Sequence, residues 1–199
     1  MAREVRFAPQ HPFRGFTLRT IIGLAASSGL RIGEVVRLND TDLDFTTGTL
    51  TVHHTKFNKH RLVPPHPTAL EALHNYRRLR DLIFPVPQCE ALFVNHGGKR
   101  FSTNCLRGAI RKLIRGANIL RLNGGYPTFH HLRHTFAVKR LVAWYHEGLD
   151  VQALLPVLAT YLGHVGYSET AYYLAADPEL LDLARAKAQE VTASWEGRP

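Results

Sequence analysis

An arginine, a lysine, a His-x-x-Arg pair, a second histidine and a tyrosine are the residues of this chain whose types and spacing can act on a phosphate. Arg31 sits in Ser28-Gly29-Leu30-Arg31-Ile32-Gly33-Glu34, at the entrance to a predicted helix. Its planar fork donates two parallel hydrogen bonds and stays charged at physiological pH, and a helix N-terminus adds its own attraction for an anion. Glu34, one turn on, can hold that guanidinium; the plainer use is a surface i, i+3 ion pair contributing about a few tenths of a kcal/mol. Lys56, in Thr55-Lys56-Phe57-Asn58-Lys59-His60-Arg61, stands at a hairpin tip. There it can enter a groove or protonate a leaving oxygen, or simply protect a sheet edge.

His130 and Arg133, in His130-His131-Leu132-Arg133-His134, share one helix face. His130 and His134 are also four residues apart, but no Glu follows the first histidine and no Cys or Asp completes a ligand set, so no metal is expected. His164 follows Gly163 at a predicted helix end, where a histidine also serves as an ordinary cap. Tyr172 and Tyr173 come next, and aromatics at helical spacing are ordinarily core residues.

Taken singly, each feature has a plain structural use. In order, they resemble the signature of the tyrosine recombinase (phage integrase) family. The resemblance runs from about Thr17 to Ala184 and rests on SGLRIGEV, TKFNKHRLVP, FHHLRHTFA and YLGHVGYSETAYYL. It implies that Arg31 and Arg133 bind a scissile phosphate, that His130 and His164 assist there, that Lys56 is the general acid and that Tyr173 is the nucleophile. Tyr172 is then a structural neighbour. Attack by Tyr173 leaves a 3′-phosphotyrosine and expels a 5′-oxygen, without metal, ATP or another cofactor. The turn departs from the family's Gly-Lys-Gly pattern, since Thr55 and Phe57 flank Lys56, so Lys59 remains a rival for the acid. The long stretch between the two histidine boxes is similar to that in integrases of bacterial plasmids and transposons.

Composition agrees with such chemistry. The 199 residues are 45% hydrophobic and 21% charged, enough apolar chain for a buried core and too much for disorder. A formal net charge of +9 favours a polyanionic partner. The most apolar stretches are short and interrupted, and the first residues carry no signal-peptide core, so the expectation is a cytoplasmic protein on double-stranded DNA with no membrane. Cys89 and Cys105 make neither a disulfide framework nor a zinc site. Lys59, Arg61, Lys99, Arg100, Arg107, Arg111, Lys112 and Arg115 are candidates for DNA-backbone contacts that give salt-sensitive, largely sequence-independent affinity. A solvated face is the alternative for each.

The elements that must position these residues read as mainly α with a small antiparallel β-element, and the resemblance implies the fold of a tyrosine recombinase catalytic domain. Thr17 caps a first helix to about Ser28, and Arg31–Leu38 forms a second. Leu43 and Phe45, the turn-like Thr46-Thr47-Gly48 and the β-branched run Thr49–Val52 suggest a strand, and Arg61–Val63 returns as a second, stopped by Pro64-Pro65. A helix spans Thr68–Leu82 and a short strand Ala91–Val94. Further helices span roughly Ser102–Arg115, Phe129–His146, Val151–Leu162, Ser168–Ala175 and Pro178–Thr192. Residues 1–14 are a lead-in and 15–199 a single catalytic domain. The N-terminal core-binding domain that family members carry is expected to be absent. The last helix docks on a neighbouring protomer, as the resemblance implies, or in cis. The homo-oligomer, a dimer or tetramer on DNA, also comes from the resemblance. Two other functions stay open: a catalytically silent DNA-binding remnant or accessory protein, and a metal-dependent hydrolase built on the histidines.

Overall fold

The computed structural model of the chain describes residues 12–53, 60–164, 169–170, 172–173 and 178–196. Two compact units divide it, Met1–Arg133 and His134–Pro199. The fold is mainly helical with one three-stranded antiparallel sheet in the order β1-β2-β3. No described helix is long and apolar enough to cross a membrane. The expected lead-in lies outside the described residues up to residue 11.

In the first unit α1 spans Pro12–Ser28, with proline at the first described helical position, where its fixed φ suits a helix start. Thr17 therefore does not cap it. Thr17 is fully buried and its hydroxyl donates to the Phe13 carbonyl at 2.8 Å, one turn back. The helix ends where Gly29 takes a left-handed φ of 65° and returns its N–H to the Ala25 carbonyl at 2.9 Å. The chain then enters α2, Ile32–Arg37, with Arg31 as its N-cap.

The strands are β1 Leu43–Asp44, β2 Thr49–His53 and β3 His60–Val63. The hairpin turn between β2 and β3, with Lys56 and Lys59, lies outside the described residues. Residues directly opposite in an antiparallel pair share a face. Leu50 faces Val63, and Val52 faces Arg61. Leu50, Val52 and Val63 are fully buried, so this register carries Arg61 inward. There its fork meets Glu34 of α2, Nη1 to Oε1 at 3.0 Å and Nη2 to Oε2 at 2.9 Å. The segment Ala91–Val94, expected as a strand, makes only the isolated bridges Asn39↔Ala91 and Val94↔Arg100.

Helix α3, Pro67–Ile83, packs on α1, and α4, Thr103–Gly116, packs on α2. Tyr76 of α3 is fully buried beside Phe13 and Phe93, and its hydroxyl accepts the Val94 backbone N–H at 3.0 Å. Burial pushes the Tyr76 phenol up to about 12, so it stays neutral. Helix α5, Phe129–His146, begins in this unit and continues into the second.

In the second unit α6, Val151–Leu162, is capped by Asp150, whose carboxylate accepts the Ala153 N–H at 3.1 Å. Gly163 closes it at φ 69°, and the Gly163 and His164 N–H groups satisfy the Thr160 and Ala159 carbonyls. Ala137 and Leu141 of α5 pack with Leu155, Leu158 and Leu162 of α6. Leu180 of α7, Pro178–Glu196, and Tyr173 complete this core.

Two stability predictions follow from these contacts. Tyr76→Phe leaves the Val94 N–H unsatisfied in the core and lowers stability by about 1–3 kcal/mol, measurable by urea denaturation. For Glu34, burial pushes the carboxyl up, but the hydrogen bonds and charge of Arg61, with the Arg31 N–H and charge, outweigh burial and hold it below its ordinary value. A depressed carboxyl contributes stability above its unfolded pKa and loses that contribution as pH falls through the folded value. Glu34→Gln should thus cost about 3–5 kcal/mol at pH 7, and the deficit should shrink below about pH 4. Denaturation at neutral and acid pH checks it; an equal deficit at both would contradict this account.

Candidate active site

Gly29, Leu30 and Arg31 form the hinge of the site. Leu30 is fully buried and fixes the backbone between the two flanking residues. Arg133, 104 residues away in sequence, donates Nη1 to the Gly29 carbonyl at 2.9 Å. The left-handed turn that ends α1 thus aims a carbonyl at one arginine, while the next residues launch the other. Arg133 is 1% exposed, whereas the Arg31 side chain is 35% exposed. Arg31 is held from behind: Glu34 Oε2 accepts its backbone N–H at 2.8 Å, and Glu34 Oε1 accepts Nη1 at 3.3 Å.

His130 is placed by the start of α5. Thr128 donates its backbone N–H to His131 Nδ1 at 3.0 Å, and the Thr128 hydroxyl lies 2.9 Å from the same nitrogen. His131 therefore serves the helix end, and His130 lines an open cleft of about 1040 Å³ together with Arg31. Arg37, Arg107, Arg111 and Arg115 line it too. The last three recur every fourth residue along α4, and Ile110 and Ile114 of the same helix line the cleft beside them. The Arg115 guanidinium lies over the Tyr126 ring, 5.5 Å from its centroid. Among the described residues that line the cleft Glu34 is the sole acid, and it already carries the Arg61 fork.

The expected cations thus divide. Arg31, His130, Arg107, Arg111 and Arg115 share the cleft, and Arg133 is anchored two residues from Arg31. Lys99 and Lys112 are exposed but do not line it. Arg61 and Arg100, expected at a DNA backbone, have their guanidinium groups turned to the protein. Arg100 bonds the Val36 carbonyl at 2.7 Å, the Leu38 carbonyl and Asn39, closing the C-terminal end of α2. Sequence reasoning missed Arg37 at the cleft and the inward turn of Arg61. Alternation from buried Val63 was the available signal for the latter.

The second unit holds the expected tyrosine and histidine. Tyr173 is 5% exposed, with ring centroids 5.2 Å from His134 and 6.0 Å from His164. Its neighbour Tyr172, expected as a structural residue, is 67% exposed. His164 Nδ1 lies 2.7 Å from the hydroxyl of fully buried Thr170, and Nε2 is 3.7 Å from Glu169. The helix cap and the Thr170 hydroxyl together set the orientation of this imidazole.

Comparison with known proteins places the chain in a family. The profile of the phage integrase family matches residues 8–179. A protein of Sinorhizobium fredii named as an integrase/recombinase is 49% identical over 183 residues, covering 92% of this chain and 58% of its own. The tyrosine recombinase XerC of Chlamydia caviae is 32% identical over 161 residues, covering 81% of this chain and 47% of its own. The chain thus spans about half the length of these relatives. The crystal structure of XerA recombinase superposes with a TM-score of 0.68 at 26% identity, covering 92% of this chain and 58% of that one. With the profile spanning most of its length, this chain belongs to the phage integrase family, the tyrosine recombinases.

Proposed function

We propose that this chain is the catalytic part of a site-specific DNA recombinase that cuts and rejoins strands through a phosphotyrosine. The observation that carries the reading is the Arg133 guanidinium on the Gly29 carbonyl, two residues from Arg31, beside a cleft rimmed with arginines. A backbone phosphate in that cleft meets the exposed fork of Arg31, with Arg133 behind the turn and His130 on the wall. Guanidinium and imidazole donors neutralise charge as it builds on the non-bridging oxygens; losing one such donor typically costs about a hundred- to a thousandfold in rate.

Tyrosine near its reference pKa of about 10 is a poor nucleophile, and a cationic phosphate site lowers the barrier to its deprotonation. In the proposed reaction the Tyr173 oxygen attacks phosphorus, the bond to the 5′-oxygen breaks, and Lys56 gives that oxygen a proton. A 5′-hydroxyl from a second strand reverses these steps and releases the tyrosine. His164, held by Thr170, donates to the same phosphate. The partner is double-stranded DNA, and the working form is a homo-oligomer of the recombinase on its site. Helix α7, with Leu180 buried and Leu181 39% exposed, is the proposed contact to a neighbouring copy.

The low exposure of Tyr173 favours a second reading, a DNA-binding protein of the same fold that does not turn over. A nicked duplex that traps the covalent adduct separates the two. The expected result is an SDS-resistant protein–DNA species in the presence of EDTA, lost in Tyr173→Phe and kept in Tyr172→Phe. DNA binding without adduct at any protein concentration supports the second reading; loss in Tyr172→Phe alone moves the nucleophile. Separately, Arg107→Ala, Arg111→Ala and Arg115→Ala should each weaken binding across sequences and reduce the slope of log affinity against log salt by about 1.

A further inference from the structure

We propose that His53 and His60 bind a divalent transition-metal ion, with Asp42 as the carboxylate that orients the site. Neither histidine lines the arginine cleft, and the site stands apart from the phosphate-binding reading above. The two residues are register partners: His53 ends β2 and His60 opens β3. Residues directly opposite in an antiparallel pair project from the same face, so both imidazoles leave the sheet on one side. Their Nδ1 atoms lie 2.6 Å apart, the ring planes meet at 81°, and both residues are exposed. Imidazole nitrogen is a ligand that suits zinc, copper and nickel.

Asp42 decides which nitrogens face the ion. Its Oδ2 accepts the Asn39 backbone N–H at 2.8 Å, and its Oδ1 lies 2.9 Å from His53 Nε2. An ionised carboxylate only accepts, so His53 keeps a proton on Nε2, and its neutral ring presents a bare lone pair at Nδ1. In the metal-free pair His60 donates Nδ1–H to that lone pair. Metal binding moves one proton: His60 Nδ1 loses it to water and Nε2 of the same ring takes one up, so both Nδ1 lone pairs face the ion and no net proton is released. A histidine ligand whose far nitrogen donates to a carboxylate has its tautomer and ring orientation fixed for the metal. With metal–nitrogen bonds of about 2.0–2.1 Å, two nitrogens on one ion stand about 3 Å apart, so these exposed side chains need part by only about half an ångström.

Among the described residues no group of three or more His, Cys, Asp or Glu side chains is arranged to hold a metal ion. The protein therefore supplies two ligands and water the rest, which makes the ion exchangeable. Its effect is a clamp across the strands, at the two ends of the segment 54–59 that carries Lys56 and Lys59. The ion has no part in strand transfer, so covalent-adduct formation in EDTA neither supports nor opposes it.

The test titrates zinc chloride into the full 199-residue chain, reading the ring nitrogen resonances of His53 and His60 by NMR while circular dichroism reports folding. Both Nδ1 resonances should shift together and saturate at one ion per pair. His60→Ala, at an exposed position, should weaken this binding about tenfold or more with helical content retained. Asp42→Asn, which keeps an acceptor but removes the charge, should weaken it about tenfold. If Asp42→Asn does not fold, His60→Ala and His53→Ala carry the test. Saturating zinc should also slow backbone amide exchange in β2 and β3. A response at one ring without the other, unchanged affinity in folded His60→Ala or Asp42→Asn, or exchange in the strands that zinc leaves unaltered each overturns the proposal.

Discussion

A hydrogen bond from the Arg133 guanidinium to the Gly29 carbonyl joins the two arginine motifs of this chain. Burying a guanidinium is costly unless its donors find acceptors. A carbonyl supplies an acceptor and a direction without cancelling the positive charge, as a carboxylate at that place would. The carbonyl is available because a left-handed glycine ends α1 there, and it is rigid because Leu30 is sealed in the core. Helix termination, core packing and electrostatics thus converge on three consecutive residues.

Around that turn the arginines have separate tasks. Arg61, Arg80 and Arg100 are turned inward and meet carboxylates or helix-end carbonyls. Arg80, for instance, joins Asp40 at 2.8 Å to the Leu92 carbonyl at 3.0 Å. Arg31, Arg37, Arg107, Arg111 and Arg115 line the cleft. The difference is not one of residue type. It comes from which face of a strand or helix carries the side chain, and from whether a buried acid or an uncapped carbonyl lies within reach. A basic composition alone therefore overstates how much charge is offered to a polyanion.

Much of this was legible beforehand. Periodicity located α5 and α6 at the observed bounds, and β-branched runs located the sheet. The arginine and histidine motifs pointed to a family, and the family profile matches residues 8–179. The failures have physical causes. Thr17 resembles a cap because its hydroxyl seeks backbone, but it bonds a carbonyl one turn back within a helix already begun at Pro12. Ala91–Val94 has strand chemistry, but its two ends bridge to different segments, at Asn39 and Arg100, so no ladder forms. Arg61 and Arg100 find partners 27 and about 60 residues away, and no local pattern encodes such meetings. Of adjacent Tyr172 and Tyr173, only the packed unit reveals which one is covered.

The arginine-rimmed cleft also ties occupancy to folding. Among the described residues, five guanidinium groups and one acid line the cleft, and like charges so gathered repel one another when only water and salt lie between them. That tension makes the unliganded chain less stable than its packing alone would allow, most of all at low ionic strength, where screening is weak. Any polyanion that enters relieves it, and a ligand at a hundred times its dissociation constant adds about 2.7 kcal/mol to the native state. A polyanion in that cleft would thus act on the stability of the fold as well as occupy its surface.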